Sequence, residues 1–428
     1  MRTVNIGLIG LGTVGGGVVD ILHNHQEDFQ RRYGLDLQLA RVADRNTDRF
    51  AQLGLDPAIC TDDAFALIAD PDIDVVIELI GGTGVAKDVV AAALEAGKRV
   101  VTANKALMAS SGHTLLKQAE DRGVELRFEA SVGGGIPIIE PLKHALTANK
   151  ITSVLGIVNG TTNYMLTHMS ERGLSYDDAL AEAQAKGYAE ADPSADVDGA
   201  DAAAKIAILA SIAFHSTVTI DQVHTEGIRS LSAADVAYAA TMGYTVKLLA
   251  IARLTDEGID VRVHPTMIPT THQLSSVKGV YNAIYVTGDA VGDTMFFGEG
   301  AGAGAAASAV VGDVIEAARA LADNNTTLGC TCTDDTAIRP ITELETCYYL
   351  RMIVDDKSGV LAKMTAVFAA HDVSVDSIMQ QGIAHDGTAE IIYVTHRARE
   401  EAIRRILAEL EDLDAVADIA ALIRVEAL

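Results

Sequence analysis

Between Gly187 and Phe214 the chain reads GYAEADPSADVDGADAAAKIAILASIAF, a segment dense in groups that could do chemistry. Glu190, Asp192, Asp196, Asp198, Asp201 and Lys205 stand in front of a strongly apolar run. Asp201 and Lys205 are four residues apart, so on a helix they share one face. The helix continues as IAILASIAF, which reads as buried. A carboxylate and an amine at the mouth of a buried helix carry a desolvation cost unless they are paired or used. The plain alternative is a surface ion pair behind an acidic loop.

Such groups need elements that position them. Thr3 to Gly10 (TVNIGLIG) reads as a short apolar strand, and LGTVGGGVVDILHNH turns from it into a helix. Gly10, Gly12 and Gly15 form G-x-G-x-x-G in the strand–turn–helix setting that gives the motif its meaning. The first two glycines allow a tight turn and close approach of a pyrophosphate. The helix start at Thr13 and Val14 offers N–H groups and a positive dipole end. Further strands, ending at Asp44, Gly82, Lys105 and Val132, alternate with helical patterns, which predicts a doubly wound parallel sheet. At the end of the second strand, Asp44 suits the ribose hydroxyls of NAD, and Arg45 suits the 2′-phosphate of NADP, so NADP or NAD stays open.

At 428 residues the chain has room for two or three domains, and 49% apolar residues is a globular composition. Its 59 acidic against 33 basic residues give a net charge of −26. That surface repels nucleic acid and anionic membranes, so neither is expected as a partner. Cys60, Cys330, Cys332 and Cys347 are too few for a disulfide framework, and the Cys330-x-Cys332 pair lacks partners at zinc-finger spacing. Free thiols in a reducing compartment are expected. No secretory leader and no uninterrupted membrane-length apolar run are read, so a cytoplasmic protein is expected.

From about Ile139 the texture changes to a mixed α+β region that includes the acidic segment. Gly298 to Leu321 is a Gly-rich turn entering a long helix, expected to pack back on the first domain. Gly302 in that turn is either a second backbone wall near the cofactor or simple packing. A polar, broken stretch follows, and then the order strand, helix, strand, strand, helix, strand, a ferredoxin-like module. The expected ranges are 1–138 for a Rossmann nucleotide-binding domain completed by the helix at about 305–325, 139–304 for an α+β catalytic and dimerisation domain, 326–345 for a linker, and 346–428 for the ferredoxin-like module.

The motifs GLGTVG, VIELIGG, VTANKALMA, FEASVGGGIPII, GIVNGTTNYML, GYAEADPSADVDGADAAAK and the GEGAGAG turn into ASAVVGD occur in this order over the whole length. In this the chain resembles the homoserine dehydrogenases of the long bacterial type, which end in an ACT domain. The resemblance implies interconversion of L-homoserine and L-aspartate 4-semialdehyde with NAD(P), in threonine, methionine and isoleucine synthesis. Carried over by motif, Lys205 is the proton donor and acceptor on the reacting oxygen. Reducing an aldehyde builds alkoxide charge, which an ammonium can stabilise and protonate. Lys105 of TANK is a second cation beside nicotinamide and substrate, at the end of a sheet strand where α/β ligands bind. Asp201 orients Lys205 or touches the substrate. Glu190 takes the substrate amino group, Asp196 assists, and Gly160 and Thr161 of NGTTN hold the substrate. Gly187 belongs to the cofactor set.

The resemblance further implies a monovalent cation, sodium, held by the Glu129 side chain and the carbonyls of Val132, Gly134 and Ile136. It implies a homo-oligomer, dimer or tetramer, and L-threonine as a feedback inhibitor on the ACT module, where Gly359 lies between the first strand and helix. The chain departs from the family where Gly81-Gly82-Thr83-Gly84-Val85 lacks the usual proline, and where Glu299 replaces another. Both positions shape backbone near the cofactor. Two other readings are a related hydride-transfer enzyme on another amino aldehyde, and an amino-acid sensor with a vestigial Rossmann domain.

Overall fold

A computed structural model describes residues 2–322, 329–382 and 387–426. Residues 326–328 of the expected linker lie outside the described residues. The chain packs as two compact units. The first holds Met1–Val158, Ala204–Val223 and Tyr281–Thr336, and the second holds Asn159–Ala203, His224–Val280 and Ala337–Leu428. The residues of 139–304 are thus shared between the two units, and 346–428 packs within the second.

The first unit is built on six parallel strands: β1 (Arg2–Ile9), β2 (Leu35–Ala43), β3 (Cys60–Thr61), β4 (Val75–Glu78), β5 (Arg99–Thr102) and β6 (Leu126–Arg127). Their order is β3-β2-β1-β4-β5-β6. The chain reverses direction across the sheet between β1 and β4, the place where such sheets open a crevice for ligands. Val4, Ile6 and Leu8 of β1 and Val75 and Ile77 of β4 are fully buried, as strands covered on both faces require. The helices Thr13–Asn24 and Ala303–Ala322 pack together over this core through Val18, Val19, Val310, Val311 and Val314. The second helix thus belongs to the first unit. Strand β3, only two residues long, escaped the sequence pattern. The same unit holds an antiparallel set in which Tyr281–Gly288 pairs with both Ile151–Ile157 and Gly292–Glu299.

In the second unit, Tyr244–Thr255 and Gly258–Pro269 form a long antiparallel pair. The C-terminal module runs Glu345–Asp355, helix Val360–Ala370, Val375–Gly382, Thr388–Thr395, helix Glu400–Glu411 and Val416–Val425. This is the expected ferredoxin-like order, with the first strand between the fourth and third. The fourth strand continues into the rest of the unit by pairing Thr266 with Arg424. Arg424 is 1% exposed and bonds Glu226 and Glu400, and the equally buried Arg262 bonds Glu426. These long-range ion pairs explain why the module is continuous with residues 224–280.

Candidate active site

The first unit carries a nucleotide cleft of about 820 Å³ at the β1–β4 crevice, lined by Gly10, Gly12, Asp44, Arg45, Ile80 and Gly81 among others. Gly10 has φ +101°, and a Cβ there would lie 2.6 Å from the Leu79 carbonyl oxygen. A Cβ on Gly15 would lie 2.1 Å from the Gly10 oxygen, so neither position tolerates a side chain. Gly12 has open space in front of it, which suits a pyrophosphate against bare backbone. Thr13 and Val14 open the helix Thr13–Asn24, and Gly302 sits at φ +126° just before the helix Ala303–Ala322. This donor set and bare backbone fit a dinucleotide. Asp44 accepts from the N–H groups of Leu11 at 2.5 Å and Asn46 at 2.7 Å, so its carboxylate also fixes the glycine loop. Arg45 is exposed at the rim.

Lys105 is the first residue of the helix Lys105–Arg122, three residues past the end of β5. Two residues that sequence reasoning passed over set its position. Asn104 caps the helix by accepting from Leu107 N–H at 3.1 Å, and its amide donates to the Gly82 carbonyl at 2.6 Å. Glu78, fully buried, accepts from Ile80 N–H at 2.7 Å and Thr102 Oγ1 at 2.6 Å. The IGG loop and the TANK turn are thereby tied to one carboxylate and one amide.

Lys205 lies on the helix Ala200–Ala213 and is 8% exposed. Its Nζ donates to the Val158 carbonyl at 2.6 Å. Ile206, Ala207 and Leu209 on the same helix are fully buried, and the Val158 carbonyl is a fixed dipole for the ammonium.

In the second unit, Asn159 is the organising residue, another that the sequence did not single out. Its Oδ1 caps the helix Gly160–Arg172 through Thr162 N–H at 2.9 Å. Its Nδ2 donates to Asp196 Oδ1 at 2.7 Å and to Asp201 Oδ2 at 3.0 Å. One neutral amide thus brings two carboxylates together at the start of a helix. Thr161 Oγ1 donates to the Tyr188 carbonyl at 2.7 Å, which holds the acidic segment against that helix. The N–H groups of Gly160 and Thr161, in the first turn, have no intrahelical acceptor. Glu190 is exposed, and its carbonyl accepts from Gln184 Nε2 at 3.0 Å. Gly187 lies in this unit at φ +76°, where its N–H donates to Gln184 O as the helix Tyr176–Ala185 ends.

Glu129 is buried in the first unit and accepts three backbone N–H bonds, from Ile138 and Ile139 at Oε1 and Glu140 at Oε2. Burial pushes its carboxyl upward, and those three bonds oppose the shift. The nearby carbonyls of Val132, Gly134 and Ile136 belong to buried residues and accept no backbone hydrogen bond among the described residues. Carboxylate and carbonyl oxygens are hard donors, the type a hard cation takes. Asp313, fully enclosed, accepts from Glu129 N–H at 2.8 Å, and burial pushes it up to about 8.

Comparison with known proteins agrees with this geometry. Residues 10–129 match the family described as homoserine dehydrogenase, NAD binding domain, residues 137–315 match homoserine dehydrogenase, and residues 348–415 match the ACT domain. A homoserine dehydrogenase of Synechocystis is 47% identical over 99% of both chains, and that of Neisseria gonorrhoeae is 43% identical over the full length of both. The crystal structure of a homoserine dehydrogenase from Thiobacillus denitrificans superposes with a TM-score of 0.95 at 42% identity, covering 100% of this chain and 99% of that one. A hyperthermophilic archaeal homoserine dehydrogenase solved in complex with NADPH gives 0.63 at 27% identity, covering 74% of this chain and 98% of that one. The chain belongs to the homoserine dehydrogenase family.

Proposed function

We propose that the chain interconverts L-homoserine and L-aspartate 4-semialdehyde, with NADP preferred over NAD. The buried ammonium of Lys205, fixed on the Val158 carbonyl, carries this reading. The nicotinamide, when bound, supplies or takes up the hydride. Lys205 Nζ gives a proton to the oxygen that gains charge as the aldehyde is reduced, and takes one back as the alcohol is oxidised. Lys105, fixed at the mouth of β5 by the Asn104 cap, adds positive potential there. Glu190 receives the substrate ammonium as a charge-assisted bond. The first-turn N–H groups of Gly160 and Thr161 receive its carboxylate. Asp196 and Asp201, held by Asn159, assist Glu190 within the second unit.

Arg45 supports the preference for NADP. Asp44 already holds two backbone N–H groups, whereas Arg45 stands exposed beside it for a 2′-phosphate. The Glu129 loop with the Val132, Gly134 and Ile136 carbonyls is our reading of a sodium site. The ACT module is our reading of a threonine site. A cleft of about 340 Å³ beside Gly359 is lined by Asp355, Lys357, Lys363, Asp412 and Asp414, charges of both signs that suit a zwitterion. By this reading the enzyme is a cytoplasmic homo-oligomer of the threonine, methionine and isoleucine route.

The test is oxidation of L-homoserine by the purified protein, followed as reduced nicotinamide, against 4-hydroxybutyrate, which keeps the alcohol and lacks the amine. Turnover with homoserine and a drop of at least 100-fold without the amine is the expected result. Equal rates would remove Glu190 from its role, and no turnover in folded protein would remove the reaction.

A further inference from the structure

The first unit brings together three groups that the proposed reaction does not use. His113 projects from the helix Lys105–Arg122, and Cys330 and Cys332 come from a segment more than 200 residues later. Their ligand atoms all lie within 4.8 Å of one another, with Cys330 Sγ 3.4 Å from His113 Nδ1. Both cysteines are free thiols. They face a small cleft of about 220 Å³, lined also by Ser211, Thr217 and Lys143. Cys332 Sγ rests 3.6 Å from the Ser211 carbonyl, and Thr217 Oγ1 lies 3.5 Å from His113 Nδ1.

We propose that His113, Cys330 and Cys332 form a binding site for a thiophilic d10 metal ion such as Zn²⁺, with an exchangeable fourth ligand. Zinc–sulfur bonds of about 2.3 Å and zinc–nitrogen bonds of about 2.0–2.1 Å place tetrahedral ligand atoms roughly 3.5–3.8 Å apart. The His113–Cys330 separation already matches, and the rest of the set closes by side-chain rotation. One imidazole and two thiolates are a soft donor set, which selects zinc or Cu(I) over magnesium or calcium. Two thiolates neutralise a divalent ion, so the buried Lys143 ammonium on the cleft wall meets a neutral centre and does not oppose binding. The cleft gives the ion an entry path and leaves room for water as the fourth ligand. Sequence spacing could not show this site, because the third ligand is far away along the chain. Such an ion would link the helix that starts with Lys105 to the segment whose Cys332 touches Ser211, on the helix of Lys205.

The test uses the full-length protein, stripped with a chelator and kept reduced, titrated with Zn²⁺ against a chromophoric chelator and with Co²⁺ by absorption spectroscopy. One Zn²⁺ per chain, with dissociation below about 1 μM and a thiolate-to-cobalt charge-transfer band, is the expected result. Cys330→Ser and Cys332→Ser should each abolish the band, and His113→Ala should weaken zinc binding at least 10-fold. Cys60→Ser, on a separate strand, should change nothing. No stoichiometric binding, or binding and a cobalt band that survive the Cys330→Ser/Cys332→Ser double change, would overturn the proposal. Far-ultraviolet circular dichroism of each variant confirms that a lost site is not a lost fold.

Discussion

Two buried charge constellations in the second unit follow opposite rules. Around Arg424 the signs alternate. Its guanidinium bonds both oxygens of Glu226 at 2.8 and 2.9 Å and both oxygens of Glu400 at 2.9 and 2.7 Å. Next to it Arg262 reaches Glu426 at 2.6 Å, and its Nε donates to the His264 ring. Around Asn159, by contrast, two carboxylates of like sign share one neutral amide. Opposite charges paired bidentately hold the fold together. Carboxylates gathered round one amide suit a polar site, which on the proposed reading meets the substrate. On the proposed reading, the difference separates a network that holds the fold from one that serves the substrate.

Breaking the first constellation should produce the largest effect. Arg424→Met takes the shared guanidinium from the buried Glu400 and the half-buried Glu226, leaving Arg404 and His224 beside them, and is expected to lower the unfolding free energy by about 3 kcal/mol. Urea unfolding measures it, and a loss under 1 kcal/mol would mean the network contributes little. Removal of the whole C-terminal module should be worse, since it takes Glu426 from Arg262 and Arg424 from Glu226. Truncation is therefore a poor probe of regulation.

Asn159→Ala attacks the second constellation. It should cost about 1 kcal/mol as a lost helix cap and lower kcat/KM for homoserine by about 10- to 100-fold. Asn159→Asp keeps the cap oxygen but replaces the amide donor with a third negative charge, so it should lower both stability and kcat/KM. If both variants turned over normally, the Asn159 cluster would be structural like its counterpart.

Acid probes the first constellation as well. His264 is completely buried, its Nδ1 paired with the Pro265 carbonyl and its Nε2 accepting from Arg262, and burial with two flanking arginines holds its pKa well below the usual 6.5. The unfolded chain protonates this histidine first as pH falls. Stability is therefore complete above pH 6.5 and declines below it, by about 1.4 kcal/mol per pH unit for one proton. Glu226 and Glu400 are lowered despite burial because their arginines and hydrogen bonds outweigh it, so their contribution is lost only below about 4.5. Urea unfolding at pH 8, 6 and 5 should show the early decline, and His264→Gln should remove it.

The smallest expected effect belongs to the cofactor rim. Arg45→Ala should raise KM for NADP+ about 10-fold, one charge-assisted contact, and leave KM for NAD+ unchanged. Parallel changes for both cofactors would count against a 2′-phosphate contact.

Local features were legible in the sequence, and features made by distant residues were not. The glycine turn, the parallel strands and the module order depend on spacing within about thirty residues, and each was readable. Asn159 sat inside a quoted motif, yet its partners are 37 and 42 residues away and no periodicity points to them. Glu78 reads as one more residue of an apolar strand until Thr102 and Ile80 are seen bonded to it. Glu226 and Arg424 are 198 residues apart, and His113 and Cys330 are 217 apart. One signal could have helped, since Asn before Gly-Thr-Thr is a good helix cap, and a cap has a second side-chain group to place.

The most direct test of the central claim is turnover by Lys205→Ala beside its binding of NADP+. The structure predicts that cofactor binding stays within about 3-fold while kcat falls about 10²- to 10⁴-fold, the range for a lost general acid–base group. Turnover within a few-fold of the unaltered protein would show that the buried ammonium on the Val158 carbonyl is structural, and that the proton moves through another group.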